Sequence, residues 1–289
     1  MKIIIKTIFQ IFLGLSFFEI YIKSKTANAF IPRINEPNQE ELQSTSIQIG
    51  KTAIQLIQFG ENEEAIKLLK LAVKLNPTEE AFWLSLAEAQ VRLNKNIEAI
   101  SSLNKAIELK PNAEGIFFTK ASIYMNLNNP KSAVKIIKKG LTINNKSARG
   151  YFLLGNAEIM RNNLNLALDA FKRSSKINSE FWQSINNEGL ILYELNKPKQ
   201  AISKFRLAIK ISNNAEPMLA LASVLHSIEN KSIESITLAR NALKSNPNYV
   251  SNEYQAKQLW GEKLQKAAIH LFKNKEMIKA VKEAKETSK

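Results

Sequence analysis

The sequence predicts an all-α solenoid of six helix-turn-helix units, each 34 residues long, with one more helix over the C-terminal end. Three columns of small residues carry that reading. Ala65, Ala99, Ala133, Ala167 and Ala201 follow one another at 34-residue steps, with Ser235 one step further. Ala53, Ala87, Ala121, Gly155, Gly189 and Ser223 form a second column, and Ala72, Ala106, Gly140, Ser174, Ala208 and Ala242 a third. The runs between them are apolar at steps of three and four, the period of an amphipathic helix. Packed helix axes lie about 8–10 Å apart, and a bulky side chain at such a contact overfills it at a cost of about 1–3 kcal/mol. A small residue recurring at fixed phase therefore marks where helices touch in every unit.

From the N-terminus, Met1–Ala29 differs in kind from the rest. Lys2 and Lys6 precede an apolar run from Ile8 to Phe18, and Ala27-Asn28-Ala29 supplies an A-x-A site. This is the layout of a secretory signal peptide cleaved before Phe30. Ile3–Ile22 is also about long enough to be an uncleaved membrane anchor. Either reading exports the remainder, because the N-terminal lysines stay in the cytoplasm. Residues 30–45, with Pro32 and Pro37, read as an extended linker or, alternatively, as a segment folded back to cap the first repeat.

The six units are 46–79, 80–113, 114–147, 148–181, 182–215 and 216–249. In the second, Glu80–Leu93 and Asn96–Leu109 form the two helices, broken at Asn94-Lys95. Asn128-Asn129, Asn162-Asn163 and Asn196-Lys197 break the next three. Pro130 and Pro198 open second helices at the first position, where a missing N–H costs nothing. Pro77, Pro111 and Pro247 end second helices. Large residues interleave with the small ones as core: Trp83, Phe117 and Tyr151 in one column, Leu69, Leu103, Ile137, Phe171 and Phe205 in another. Residues 250–274 read as a capping helix, about Glu253 to Phe272, with Tyr254, Leu259, Trp260, Leu264, Ala268 and Leu271 apolar. Residues 275–289 read as a charged, fraying tail.

Trp83, Leu86, Ala87, Ala99, Leu103, Ala106 and Pro111 occupy the W-x2-L-G, A-x3-F, A and P positions of a known repeat. In that register residues 46–249 resemble the tetratricopeptide repeat (TPR) family. Asn145, Ser179 and Asn213 replace the terminal proline in the third to fifth units, and Ala239 stands where a large residue is usual, beside Leu238. The resemblance implies a right-handed superhelical solenoid with a C-terminal capping helix. It implies that the first helix of each pair lines a concave groove for a protein or peptide, through positions 2, 5, 9, 12 and 13 of each unit. Those positions are Phe118, Ser122, Met125 and Asn126; then Arg149, Phe152, Asn156, Ile159 and Met160; then Gln183, Asn186, Leu190, Tyr193 and Glu194. Phe, Met and Tyr supply adaptable apolar contact, and Asn pairs with both N–H and C=O of an extended peptide. Only Arg149 suits the two-carboxylate clamp of chaperone-binding relatives, which argues against a chaperone-tail receptor.

Charge and composition narrow the function further. The formal net charge is +15, yet aspartate occurs once, at Asp169, and the lysines are dispersed along the chain. Dispersed lysines without interleaved aromatics argue against specific nucleic-acid binding and leave attraction to acidic proteins or to an anionic membrane surface. Without cysteine there is no disulfide, thiolate metal site or Cys nucleophile. The two histidines, His226 and His270, have no acid partner at a useful spacing, and no phosphate loop or zinc motif occurs. No catalytic, cofactor or metal site is expected. Glu40-Glu41, Glu63-Glu64 and Glu79-Glu80 fall at or near helix starts and complement the helix dipole.

The leading expectation is a non-catalytic scaffold beyond a membrane that assists assembly or stability of a membrane or secreted complex. The leader, the Lys-, Asn- and Ile-rich composition and the repeat count are similar to conserved exported repeat proteins of marine picocyanobacteria. That resemblance implies a thylakoid lumen or periplasm and a role in photosystem assembly. The alternatives are an envelope protein of secretion, pilus or cell-wall machinery, and an accessory to an enzyme whose catalytic core lies elsewhere.

Overall fold

A computed structural model describes residues 38–229 and 233–288. The leader, with its signal-peptide or anchor reading, and the linker as far as Pro37 lie outside the described residues. The chain divides into two compact units, residues 1–42 and 43–289. The described residues form fifteen α-helices and two 3-10 turns, with no strand among them. None of these helices is long and apolar enough to cross a membrane.

Six helix pairs come first. They are α1 (Gln39–Gln58) with α2 (Asn62–Leu75), α3 (Glu80–Arg92) with α4 (Asn96–Leu109), and α5 (Glu114–Asn126) with α6 (Pro130–Ile143). Then come α7 (Ala148–Met160) with α8 (Leu164–Ile177), α9 (Trp182–Glu194) with α10 (Pro198–Ile211), and α11 (Ala215–Glu229) with α12 (Ile233–Ser245). Each second helix packs against the first helix of the following pair, so the chain stacks in order. Each pair alone exposes an apolar stripe, and the next pair covers it.

The breaks within the first five pairs share one backbone device. Asn94, Asn128, Asn162 and Asn196 have φ of 58°, 52°, 60° and 59°, and Gly60 occupies the same position with φ 84°. In the second pair Lys95 N–H donates to the Gln90 carbonyl at 2.8 Å and Asn94 N–H to the Val91 carbonyl at 2.9 Å. This is a Schellman cap, which satisfies the last carbonyls of a helix by turning one residue left-handed. Glycine and asparagine adopt that conformation at least cost.

Small columns and large columns are matched in size. Ala65, Ala99, Ala133, Ala167 and Ala201 have no exposed surface. Ala53, Ala87 and Ala121 share their repeats with Leu69, Leu103 and Ile137 at the facing position. In the fourth and fifth repeats glycine replaces alanine and phenylalanine replaces the aliphatic residue. A Cβ on Gly155 would fall 2.5 Å from the Phe171 ring, and one on Gly189 2.6 Å from the Phe205 ring. Both rings are fully buried. In the sixth repeat Ala239 is buried and Leu238 packs against the same core.

Three segments depart from the sequence expectation. The linker expected to reach residue 45 is already helical from Gln39. Asn38 Oδ1 accepts from Glu41 N–H at 2.8 Å, and the Glu41 carboxylate accepts from Asn38 N–H at 3.2 Å, a reciprocal capping box that starts α1. The single capping helix expected over Glu253–Phe272 is two, α13 (Asn252–Lys257) and α14 (Glu262–Phe272). Leu259, at φ 65°, breaks them with the same Schellman pattern, Trp260 N–H donating to the Gln255 carbonyl at 3.1 Å. The charged tail does not fray in the structure. Ile278–Thr287 forms α15, which packs on α12 and on the 3-10 turn Pro247–Val250, with Met277 and Ala284 buried.

Candidate functional site: the inner face of the helix pairs

The first helices of the pairs present the residues predicted to bind a partner. On α5, Ser122 and Met125 are partly exposed and Asn126 is exposed. On α7, Arg149 is exposed, and Phe152, Asn156, Ile159 and Met160 are partly so. Helices α5 and α7 touch directly, which brings these side chains together. The equivalent positions of the second repeat, Leu84, Glu88, Val91 and Arg92, are also at least partly exposed. The same register, extended from the three central repeats to residues 80–113, marks them. Glu88 and Arg92 pair with each other at 2.8 Å. Asn156 Oδ1 accepts from Asn187 Nδ2 at 3.2 Å, and among the described residues nothing accepts from its amide hydrogens. The strip is therefore sulfur, aliphatic and aromatic surface with a few amides, Arg149 and the Glu88–Arg92 ion pair.

Four predicted groove residues lie inside the protein instead. Phe118 is 2% exposed. Its ring fills the space left by Gly140 and by Gly150 of the next repeat, at each of which a Cβ would fall 2.6 Å from it. Asn186, Leu190 and Tyr193 are buried because α14 lies on α9 and α11, the inner helices of the fifth and sixth repeats. The expected cap at the end of the stack thus turns back onto its inner side. Gln183 stays partly exposed at the start of α9.

The docking of α14 is specific. The Glu194 carboxylate accepts from the backbone N–H of Lys263 at 3.3 Å and of Leu264 at 3.0 Å, satisfying the open N-terminus of α14. Lys263 Nζ donates to the Tyr193 carbonyl at 3.0 Å and to Asn196 Oδ1 at 2.7 Å, and lies 4.4 Å from the Tyr193 ring centre. The Tyr193 hydroxyl meets the Ser227 hydroxyl at 3.0 Å. Trp260 Nε1 donates to Glu216 at 3.2 Å. Burial pushes the Glu216 carboxyl up to about 7, against hydrogen bonds from Trp260, Asn186 and Tyr249 that hold it down. Leu264, Ala268 and Leu271 are fully buried against this surface.

The fold also brings the two histidines together. His226 on α11 and His270 on α14 have ring centres 5.1 Å apart. Burial, and secondarily His270, hold the His226 pKa below its ordinary value. The buried inner-helix carboxylates are committed elsewhere: Glu158 to Arg161 at 3.0 Å and Glu188 to Lys204 at 2.7 Å. Among the described residues no group of three or more His, Cys, Asp or Glu is placed to hold a metal ion. This chemistry suits recognition through shape and hydrogen bonding.

The helix-pair stack, its αL breaks and its small-residue columns define a repeat scaffold. Residues 51–114 and 115–147 match tetratricopeptide repeat models. No curated protein matches the chain. Among solved structures it is similar to PilF of Pseudomonas aeruginosa, at 17% identity over 76% of this chain and 98% of that one, with a TM-score of 0.61. It is similar to MamA from Desulfovibrio magneticus RS-1, at 18% identity over 61% and 98%, with a TM-score of 0.54. It is also similar to YrrB, described as a TPR protein with an unusual peptide-binding site, at 17% identity over 66% and 100%, TM-score 0.51. Identities this low speak to the fold. Residues 51–147 are tetratricopeptide repeats, and the helix pairs that follow continue the same stack.

Proposed function

We propose that the chain is a non-catalytic scaffold that holds a segment of another protein on the inner face of its second to fourth repeats. One observation carries the reading: positions 2, 5, 9, 12 and 13 are open on α3, α7 and most of α5, whereas α14 covers most of them on α9 and α11. The open strip offers Met125, Phe152 and Met160 for apolar contact and Asn156 for a backbone. The peptide-binding site named for YrrB is support by analogy of fold. In this proposal the scaffold works beyond a membrane and assists assembly or stability of a membrane or secreted complex, with photosystem assembly as the narrower version. The basis for that location is the leader Met1–Ala29 with Ala27-Asn28-Ala29.

The test is recovery of partners by a chain tagged after Lys289, with Asn156→Ala and Met160→Ala compared to the parent. These two are preferred to Phe152→Ala because the Phe152 ring contacts Phe181 at 5.0 Å and Phe171 at 5.9 Å, so its loss also damages the core. With circular dichroism unchanged, the pair is expected to weaken capture by about tenfold or more, as side chains near an interface centre do. Undiminished recovery means that another face binds. Mass spectrometry of the protein from its own membrane fraction is expected to find Phe30 as the first residue. An intact Met1 in a soluble cytoplasmic fraction would overturn the location.

A further inference from the structure

Charge is divided between the two helices of the third to sixth repeats. On the outer helices of the third to sixth repeats, α6 carries four lysines and no acid, and α10 carries three lysines, an arginine and no acid. Helix α8 sets Lys172, Arg173 and Lys176 against Asp169, and α12 sets Arg240 and Lys244 against Glu234. The inner helices reverse the sign: Glu114, Glu158, Glu188, Glu194 and Glu216 face only Lys120 and Arg149. The dispersal seen along the sequence is therefore segregation in space.

The bases on the outer side also line up. Lys138, Lys172, Arg206 and Arg240 occupy one position of four successive repeats, and all are exposed. Lys139 and Arg173 stand beside the first two. Arg206 is paired with Glu234 and Arg240 with Glu276, while Lys138 and Lys172 have no acidic partner within 4.0 Å among the described residues. The unneutralised part of the ladder thus centres on α6 and α8.

We infer that this outer face, centred on Lys138 and Lys172, docks the chain on an anionic phospholipid bilayer, leaving the inner face free for a protein. Two features favour lipid over nucleic acid. The aromatic rings of these outer helices, Phe171 and Phe205, are fully buried, so none is offered to stack on a base. Exposed aliphatic side chains stand on the same helices instead: Leu166 at 55%, Ile177 at 40% and Leu207 at 43% exposure. Lysines beside exposed aliphatic groups suit a headgroup layer, where the amine meets phosphate and the alkyl chain meets the acyl boundary. The inference rests on side-chain placement in the repeats, independently of the leader and of what the inner face binds.

The experiment is co-sedimentation of the full chain with vesicles of phosphatidylcholine alone and with about 30% phosphatidylglycerol added, at low and physiological salt. Any pull of the leader on lipid, its lysines included, is common to every variant, so it cancels in the comparison between variants. The expected result is binding to anionic vesicles in excess of neutral ones, falling as salt rises. The double variant Lys138→Glu, Lys172→Glu should weaken the anionic excess by at least about tenfold, since each cation near the surface contributes severalfold. A charge-matched control, Lys266→Glu with Lys282→Glu on α14 and α15, should keep most of it. Equal loss in both variants would show that net charge alone acts, and no preference for anionic vesicles would overturn the proposal. So would duplex DNA that strips the parent from vesicles at physiological salt and is itself lost in the Lys138/Lys172 variant.

Discussion

Gly189→Ala is expected to destabilise the chain by about 1–3 kcal/mol, with Phe205→Leu in the same chain restoring part of the loss. Two opposing effects decide the sign. A helix-interior glycine replaced by alanine ordinarily gains about 0.4–1 kcal/mol through a less disordered unfolded chain. Here the new methyl would sit 2.6 Å from a fully buried phenyl ring inside a packed stack, and the overpacking cost exceeds that gain. Alanine facing leucine is what the first two repeats carry, as Ala53 with Leu69 and Ala87 with Leu103, so the double variant rebuilds a pairing the fold already uses. The check is a double-mutant cycle by denaturant titration. A Gly189→Ala chain as stable as its parent, or additive effects of the two changes, would remove the size-matching account of the columns.

The second large effect is expected at Leu264. This side chain is fully buried at the start of α14, and truncation to alanine is expected to cost about 2–5 kcal/mol, as for other fully buried leucines. Loosening α14 also uncovers Tyr193, Asn186 and Leu190. Backbone amides of α9 and α11 should therefore exchange faster, while those of α3 and α5 keep their parent rates. Unchanged stability with unchanged exchange in α9 would mean that α14 does not hold that face.

How far the sequence foretold this arrangement depended on whether a feature is local. The helix pairs are visible because Ala65, Ala99, Ala133, Ala167 and Ala201 mark one contact at constant phase, and the asparagine breaks because Asn94, Asn128, Asn162 and Asn196 are suited to a left-handed residue. Leu259 makes the same turn with a residue that gives no such signal, so α13 and α14 read as one helix. Helix α15 was hidden because Met277 and Ala284 are its buried contacts amid lysine and glutamate. The inner-face register located the open residues of α5 and α7. It failed at Phe118, where a glycine from the next repeat admits the ring, and at Asn186 and Tyr193, where a helix from far along the chain covers them. Both exceptions are set by residues distant in sequence, which no period in the local pattern encodes.

Helix α14 also changes how the array comes apart. In a linear stack each repeat is held by its nearest neighbours, and the free energy behaves as a chain of single links. By seating on α9 and α11 together, α14 adds a brace across the link between the fifth and sixth repeats. That end becomes one cooperative block, whereas the first four repeats remain separable links. Opening should then start among the earlier repeats and halt at the fifth, giving a protein whose inner face is adjustable along one stretch and rigid along the other.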